Sequence, residues 1–81
     1  MRLYTTPECP QCKRVKALLN DLGKPFEELD LREAKNITDL RTSGIFSMQA
    51  PILVLGIRPL VYLDAGQIAA SSDEALRAAV T

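Results

Sequence analysis

The chain contains no histidine and no tryptophan, has only two cysteines among 81 residues, and shows no surplus of either charge. Each shortage excludes a class of chemistry. Without histidine there is no Ser-His-Asp triad, no Cys-His nucleophile pair and no His-ligated zinc. Two thiolates alone also leave a protein-only tetrahedral zinc site short of ligands, so no metal residues are assigned. Ten Lys+Arg balance ten Asp+Glu, which removes the cationic footprint of a nucleic-acid binder. Two Tyr and two Phe are too few for a base-stacking platform. No apolar run approaches the ~20 residues of a membrane span. The opening Met1-Arg2-Leu3-Tyr4-Thr5 lacks the longer apolar stretch of a signal peptide. The expectation is a soluble, cytoplasmic, monomeric domain over residues 1–81, with neither nucleic acid nor membrane as partner. A hydrophobic fraction of 47% is that of a globular chain.

What is present begins with an apolar Leu3-Tyr4, read as a strand over Met1–Thr5 and broken by Thr5-Thr6-Pro7-Glu8. Val15, Leu18, Leu19 and Leu22 then recur at i, i+3, i+4 and i+7, which predicts a helix over Pro10–Leu22. Pro10 suits its first turn, Gly23 its left-handed stop, and Pro25 forbids resumption. Phe26–Leu31 reads as a strand, completing a βαβ unit whose crossover is expected to be right-handed. Asn36–Ser43 reads as a short helix ended by Gly44, and Ile45–Gln49 as a connection. The unbroken run Pro51-Ile52-Leu53-Val54-Leu55 is the pattern of a buried central strand. Gly56–Pro59 reads as punctuation, Leu60–Leu63 as another strand, and Asp64–Gly66 as a turn. Ser71 and Glu74 have the spacing of a capping box, opening a last helix to about Val80. The predicted order is β-α-β-α-β-β-α, an α/β fold.

Cys9 and Cys12 close a loop too short to stabilise the chain much as a staple. A Cys-x-x-Cys pair at the junction of strand and helix points instead to redox chemistry, in preference to a structural pair or half a metal site. Helical spacing sets Cys12 on the face of Val15 and Leu19, so its sulfur is expected to be buried. Cys9 is left at the helix N-terminus, where unpaired N–H groups favour a thiolate. Lys13, Arg14 and Lys16 add positive potential and Glu8 opposes it. The expected mechanism is attack by Cys9 on a substrate disulfide, followed by attack of Cys12 on the Cys9 sulfur.

Tyr4-Thr5-Thr6-Pro7-Glu8-Cys9-Pro10-Gln11-Cys12, Leu22-Gly23-Lys24-Pro25-Phe26 and Ala50-Pro51-Ile52-Leu53 resemble the active-site loop, helix-to-strand passage and proline-led strand of glutaredoxins, in the thioredoxin superfamily. The resemblance implies a thioredoxin-like fold, a four-stranded mixed sheet flanked by helices. It also implies a cis Pro51 facing the cysteines, and an Ala50 backbone that pairs with extended substrate. Glutathione is the implied co-substrate, with no tightly bound cofactor, and disulfide-bearing proteins are the implied targets. The departures concern substrate. Gln11 stands where dithiol glutaredoxins usually carry an aromatic; it resembles the redoxins of the ribonucleotide-reductase system, which lack Pro10 and carry a Trp signature absent here. Thr6 stands where glutathione users often have lysine, and Ala69-Ala70 where they have paired glycines. Ser71-Ser72-Asp73 resembles the turn that holds the glutamyl end of glutathione, its helix N-terminus taking the carboxylate and Asp73 the amine. Thr6, Pro10, Gln11, Ala50, Pro51, Ser72 and Asp73 are thus the implied substrate residues, although Ser71 and Glu74 are equally explained as a helix cap. Thioredoxin reductase and ribonucleotide reductase are further candidate partners. Two other readings stand beside this one: an iron–sulfur cluster shared between two chains through Cys9 and glutathione thiols, and a thioredoxin-fold interaction domain with incidental cysteines.

Overall fold

The computed structural model describes residues 1–47 and 49–80, with Ile57 described by its backbone. Its elements are β1 (Arg2–Thr5), α1 (Pro10–Asp21), β2 (Glu27–Asp30), α2 (Ala34–Thr42), β3 (Ile52–Ile57), β4 (Leu60–Leu63), α3 (Ala65–Ala70) and α4 (Asp73–Val80). The strands form one sheet in the order β2-β1-β3-β4. β1 runs parallel to β2 and antiparallel to β3, which pairs antiparallel with β4. This is the mixed, thioredoxin-like sheet that the resemblance to glutaredoxins implies.

Alternation along the central strands explains why the sheet is covered on both faces. Leu3 pairs with Leu53 and Tyr4 with Ile52, and successive side chains point to opposite sides. Leu3 and Leu53 join Val15, Leu18 and Leu19 of α1, Ile68 of α3, and Leu76 and Val80 of α4 in one buried cluster. Tyr4, Ile52 and Val54 join Leu31, Leu40 and Ile45 in a second cluster on the α2 side. Fully burying each large apolar side chain contributes about 1.5–3 kcal/mol before chain entropy is set against it. The sheet is therefore the shared wall of two small cores.

Several boundaries differ from the sequence reading, each for a local reason. The chain makes two helices after β4, not one. Asp64 accepts from the Gln67 N–H while the Gln67 side chain accepts from the Asp64 N–H, so the supposed turn Asp64–Gly66 is a capping box opening α3. The expected Ser71–Glu74 cap does not form. The Ser72 hydroxyl accepts from the Ala75 N–H at 3.1 Å, whereas that of Ser71 donates back to the Gln67 carbonyl. α2 begins at Ala34 because the Glu33 carbonyl already accepts from Asn36 and Ile37. Asn36 is buried in its first turn, with Nδ2 donating to the Asp30 carbonyl at 2.8 Å. β3 continues to Ile57, through a bulge between Val54 and Gly56, so Gly56 and Ile57 are strand. Gly23 and Gly44 take φ values of 67° and 97°, the left-handed stops expected after α1 and α2. Met48, within the predicted Ile45–Gln49 connection, and Thr81, in the single-domain assignment, lie outside the described residues.

Candidate functional site

β1 delivers the chain to a short turn, Thr6-Pro7-Glu8, and α1 starts directly after Cys9. Glu8 carries the turn with φ 58°, a left-handed conformation that costs a non-glycine residue roughly 1–2 kcal/mol. Cys9 is the N-cap of α1, with Pro10 in the first turn. Pro10 lacks the N–H that would otherwise go unpaired there, so it starts the helix without loss. The Cys9 Sγ accepts from the Cys12 N–H at 3.2 Å. No acidic residue occupies the first turn, so nothing on the helix itself opposes negative charge on that sulfur.

Cys9 and Cys12 are joined as a disulfide, their Cα atoms 5.2 Å apart. Their exposure differs sharply. Cys12 is 2% exposed and faces inward with Val15 and Leu19, while Cys9 is half-buried at the mouth of a groove. That groove, of about 380 Å³, is lined by Thr5, Thr6, Cys9, Cys12, Lys16 and Glu28, among others. Its lining carries a small network. Lys16 Nζ and the buried Thr5 hydroxyl both donate to Glu28 Oε2 at 3.0 Å. These two hydrogen bonds, Lys16 first, hold the Glu28 carboxyl below its ordinary 4.5. Asp30 also lines the groove, and side-chain and backbone hydrogen bonds from Arg32 hold its carboxyl below its ordinary 3.8.

The implied substrate residues divide into three groups. Thr6 lines the groove with both cysteines. Ala50 and Pro51 do not line it. Pro51 is buried, the Ala50–Pro51 bond is cis, and Ala50 packs against the α2-side core. With Ile52 opposite Tyr4, continuing the register by one residue sets Pro51 beside Thr5, at the end of the sheet from which the cysteine loop departs. Gln11 and Asp73 form the third group, gathered by Arg14, which the sequence shows only as a local charge; Ser72 instead accepts from the Ala75 N–H, and Pro10 sits in the first turn of α1 between the cysteines. The Arg14 guanidinium donates to Gln11 Oε1 at 2.9 Å, the Ile68 carbonyl at 3.1 Å, the Ser71 carbonyl at 2.5 Å and Asp73 Oδ1 at 2.6 Å.

These contacts revise the expected electrostatics. Arg14 and Lys16 do not stand as free positive charges near Cys9, because Asp73 and Glu28 pair with them. Lys13, also in the groove, has no ion-pair partner among the described residues. Among those residues, no group of three or more His, Cys, Asp or Glu is placed to hold a metal ion, and no helix is long and apolar enough to cross a membrane.

Comparison with known proteins agrees with this geometry. The sequence model of the family described as glutaredoxin matches residues 2–55. The chain is also similar to Glutaredoxin 3 of Escherichia coli, in the sequences of three strains, with 32% identity over 75 residues. That alignment covers 90% of this chain and 78% of the relative. No solved structure matches the chain significantly.

Proposed function

The chain belongs to the glutaredoxin family and is a thiol–disulfide oxidoreductase, and from that premise we propose that it reduces protein disulfides and glutathione mixed disulfides, with Cys9 attacking and Cys12 resolving. The observation that carries the proposal is the contrast between the two sulfurs. Cys9 Sγ is reachable and receives an N–H at the start of α1, so its thiolate is stabilised there when the disulfide opens. Cys12 is buried beside it, within reach of Cys9 and of little else.

In the first step, Cys9 thiolate attacks one sulfur of the target disulfide. A Cys9–target bond forms, the target S–S bond breaks, and the other target sulfur leaves as a thiolate that takes a proton from water. In the second, Cys12 loses its proton and attacks Cys9 Sγ, and the target sulfur leaves. Two electrons have passed from the cysteine pair to the target, leaving the Cys9–Cys12 disulfide seen here. Two molecules of reduced glutathione reverse it, becoming glutathione disulfide. Thr6, Pro10, Gln11, Ala50 and Pro51 are proposed to border the bound substrate, and Ser72 and Asp73 to meet the glutamyl end of glutathione. The helix α4 opens beside that end, and the N–H groups at a helix start suit a carboxylate.

The test is recycling of the oxidised protein, read by counting free thiols. One incubation contains reduced glutathione and the other NADPH with thioredoxin reductase. Rapid reduction by glutathione is the expected outcome. Reduction by the reductase alone would make the chain a thioredoxin-like donor and would overturn glutathione as its reductant.

A further inference from the structure

Asp73 is the one carboxylate that the proposed glutathione site offers to the free amino group of a γ-glutamyl residue. In the structure that carboxylate is already engaged. Arg14 Nε donates to Asp73 Oδ1 at 2.6 Å, and Nη2 of the same guanidinium donates to the carbonyl of Ser71 at 2.5 Å. Nη1 is held by the Ile68 carbonyl and by Gln11 Oε1. The guanidinium is thus fixed by four hydrogen bonds spread over α1, the end of α3 and the start of α4. An arginine held at several points in its plane is pre-organised and gives up its site reluctantly. It is also the less exposed partner, with 26% of its side chain accessible against 65% for Asp73.

We propose that Arg14 is the specificity-determining residue of this site: by occupying Asp73 and the Ser71 carbonyl, it weakens the hold on the γ-glutamyl end of glutathione and removes the preference that this end would otherwise give to glutathione disulfides. The proposal rests on the reading of Ser72 and Asp73 as the glutamyl subsite. An incoming ammonium would meet a carboxylate whose charge is neutralised, and a like charge within hydrogen-bond distance of it. Gln11 belongs to the same assembly. Its amide oxygen is turned to Arg14, so the residue between the two cysteines is tied to the α3–α4 corner. Arg14 acts through Asp73 and Gln11 and touches no reacting sulfur, so it is a positioning residue.

The experiment compares two mixed disulfides of one peptide, the first with glutathione and the second with cysteinylglycine, which is glutathione without its γ-glutamyl residue. The readout is the ratio of their KM values, with kcat recorded separately. For the wild type the ratio is expected near one, since the glutamyl residue adds little. In Arg14→Met it is expected to fall by about fivefold in favour of glutathione, the scale of one exposed charge pair. Arg14→Lys keeps a positive charge beside Asp73 and is expected to remain near the wild-type ratio. Asp73→Asn introduced into Arg14→Met is expected to remove the gain.

A ratio unchanged in Arg14→Met, with both substrates turned over, overturns the role of Arg14 and leaves the glutathione reading intact. An equal change of KM for both substrates shows a merely structural role and also overturns it. If wild type and variant reduce the cysteinylglycine disulfide but neither accepts the glutathione one, the glutathione reading itself falls, and this proposal with it.

Discussion

Cys9 and Cys12 lie one helical turn apart, yet only one of them meets solvent, and this asymmetry makes their substitutions behave differently. Cys9→Ser is expected to abolish disulfide reduction, because the chain holds only one other thiol and that thiol is buried. Activity near wild type in this variant would remove Cys9 as the attacking group. Cys12→Ser is expected to stop after the first step, so intact mass should show the protein carrying its substrate as a mixed disulfide. A second residue-scale expectation concerns Glu28. Its carboxyl is held below 4.5 in the folded chain by Lys16 and Thr5, so it is harder to protonate folded than unfolded. The stability this confers is complete above about 4.5, the ordinary value, and disappears as pH falls through the lower folded value. With Lys16 and Glu28 side chains 34% and 43% exposed, screening limits the effect to a few tenths of a kcal/mol up to about 1. Urea melts of wild type and Glu28→Gln should therefore differ at pH 7 and converge towards pH 3. A constant gap would place the effect elsewhere.

At the scale of elements, the sequence was readable where a pattern was long or its punctuation rigid. α1 announces itself through Val15, Leu18, Leu19 and Leu22, with Pro10 before them and Gly23 after; β3 does so through an unbroken apolar run. The segment after β4 reads differently in sequence and structure because six residues are too few to show a helical period, and Gly66 two residues after Asp64 imitates a turn. What distinguishes the two is the side chain of Gln67 closing back on the Asp64 N–H, a contact with no signature in composition. The sites were legible to the same degree. Cys9, Cys12 and their contrasting exposure follow from helical spacing alone. The Arg14 assembly does not, since its contacts to Ile68, Ser71 and Asp73 span 54, 57 and 59 residues, and only the docking of α3 and α4 against α1 brings them together. The corrected caps make an element-scale prediction. Ser72→Ala removes the acceptor for the Ala75 N–H and should destabilise the protein by about 1 kcal/mol. Ser71→Ala loses only a hydroxyl donating to a carbonyl inside the preceding helix and should cost a few tenths at most. The reverse order in thermal or urea melts would restore Ser71 as the cap.

On the scale of the whole molecule, the two cores share one sheet only a few residues wide, and neither is large enough to stand alone. Leu3 and Leu53 belong to one core and Tyr4, Ile52 and Val54 to the other, yet all five side chains hang from the same pair of strands. Unpacking either face frees the strands that support the other, which predicts a single cooperative transition. The aromatic content supplies a probe for it. The chain has no tryptophan and two tyrosines, and both Tyr4 and Tyr62 pack in the α2-side core, so tyrosine emission reports that face alone. Ile68 is fully buried in the opposite core. Ile68→Val removes one methylene there, at a cost of about 0.5–1.5 kcal/mol. With a urea dependence near ~1 kcal/mol per molar for so small a domain, the midpoint should fall by about 1 M. If the faces are coupled through the sheet, tyrosine emission and far-ultraviolet circular dichroism will shift together, although neither tyrosine belongs to the altered core. A tyrosine transition that stays in place while the dichroism moves would mean that the two faces melt separately. The groove at the end of β1, which draws Thr5 and Glu28 from neighbouring strands and Cys9 and Lys16 from α1, would then loosen with the α1 face alone.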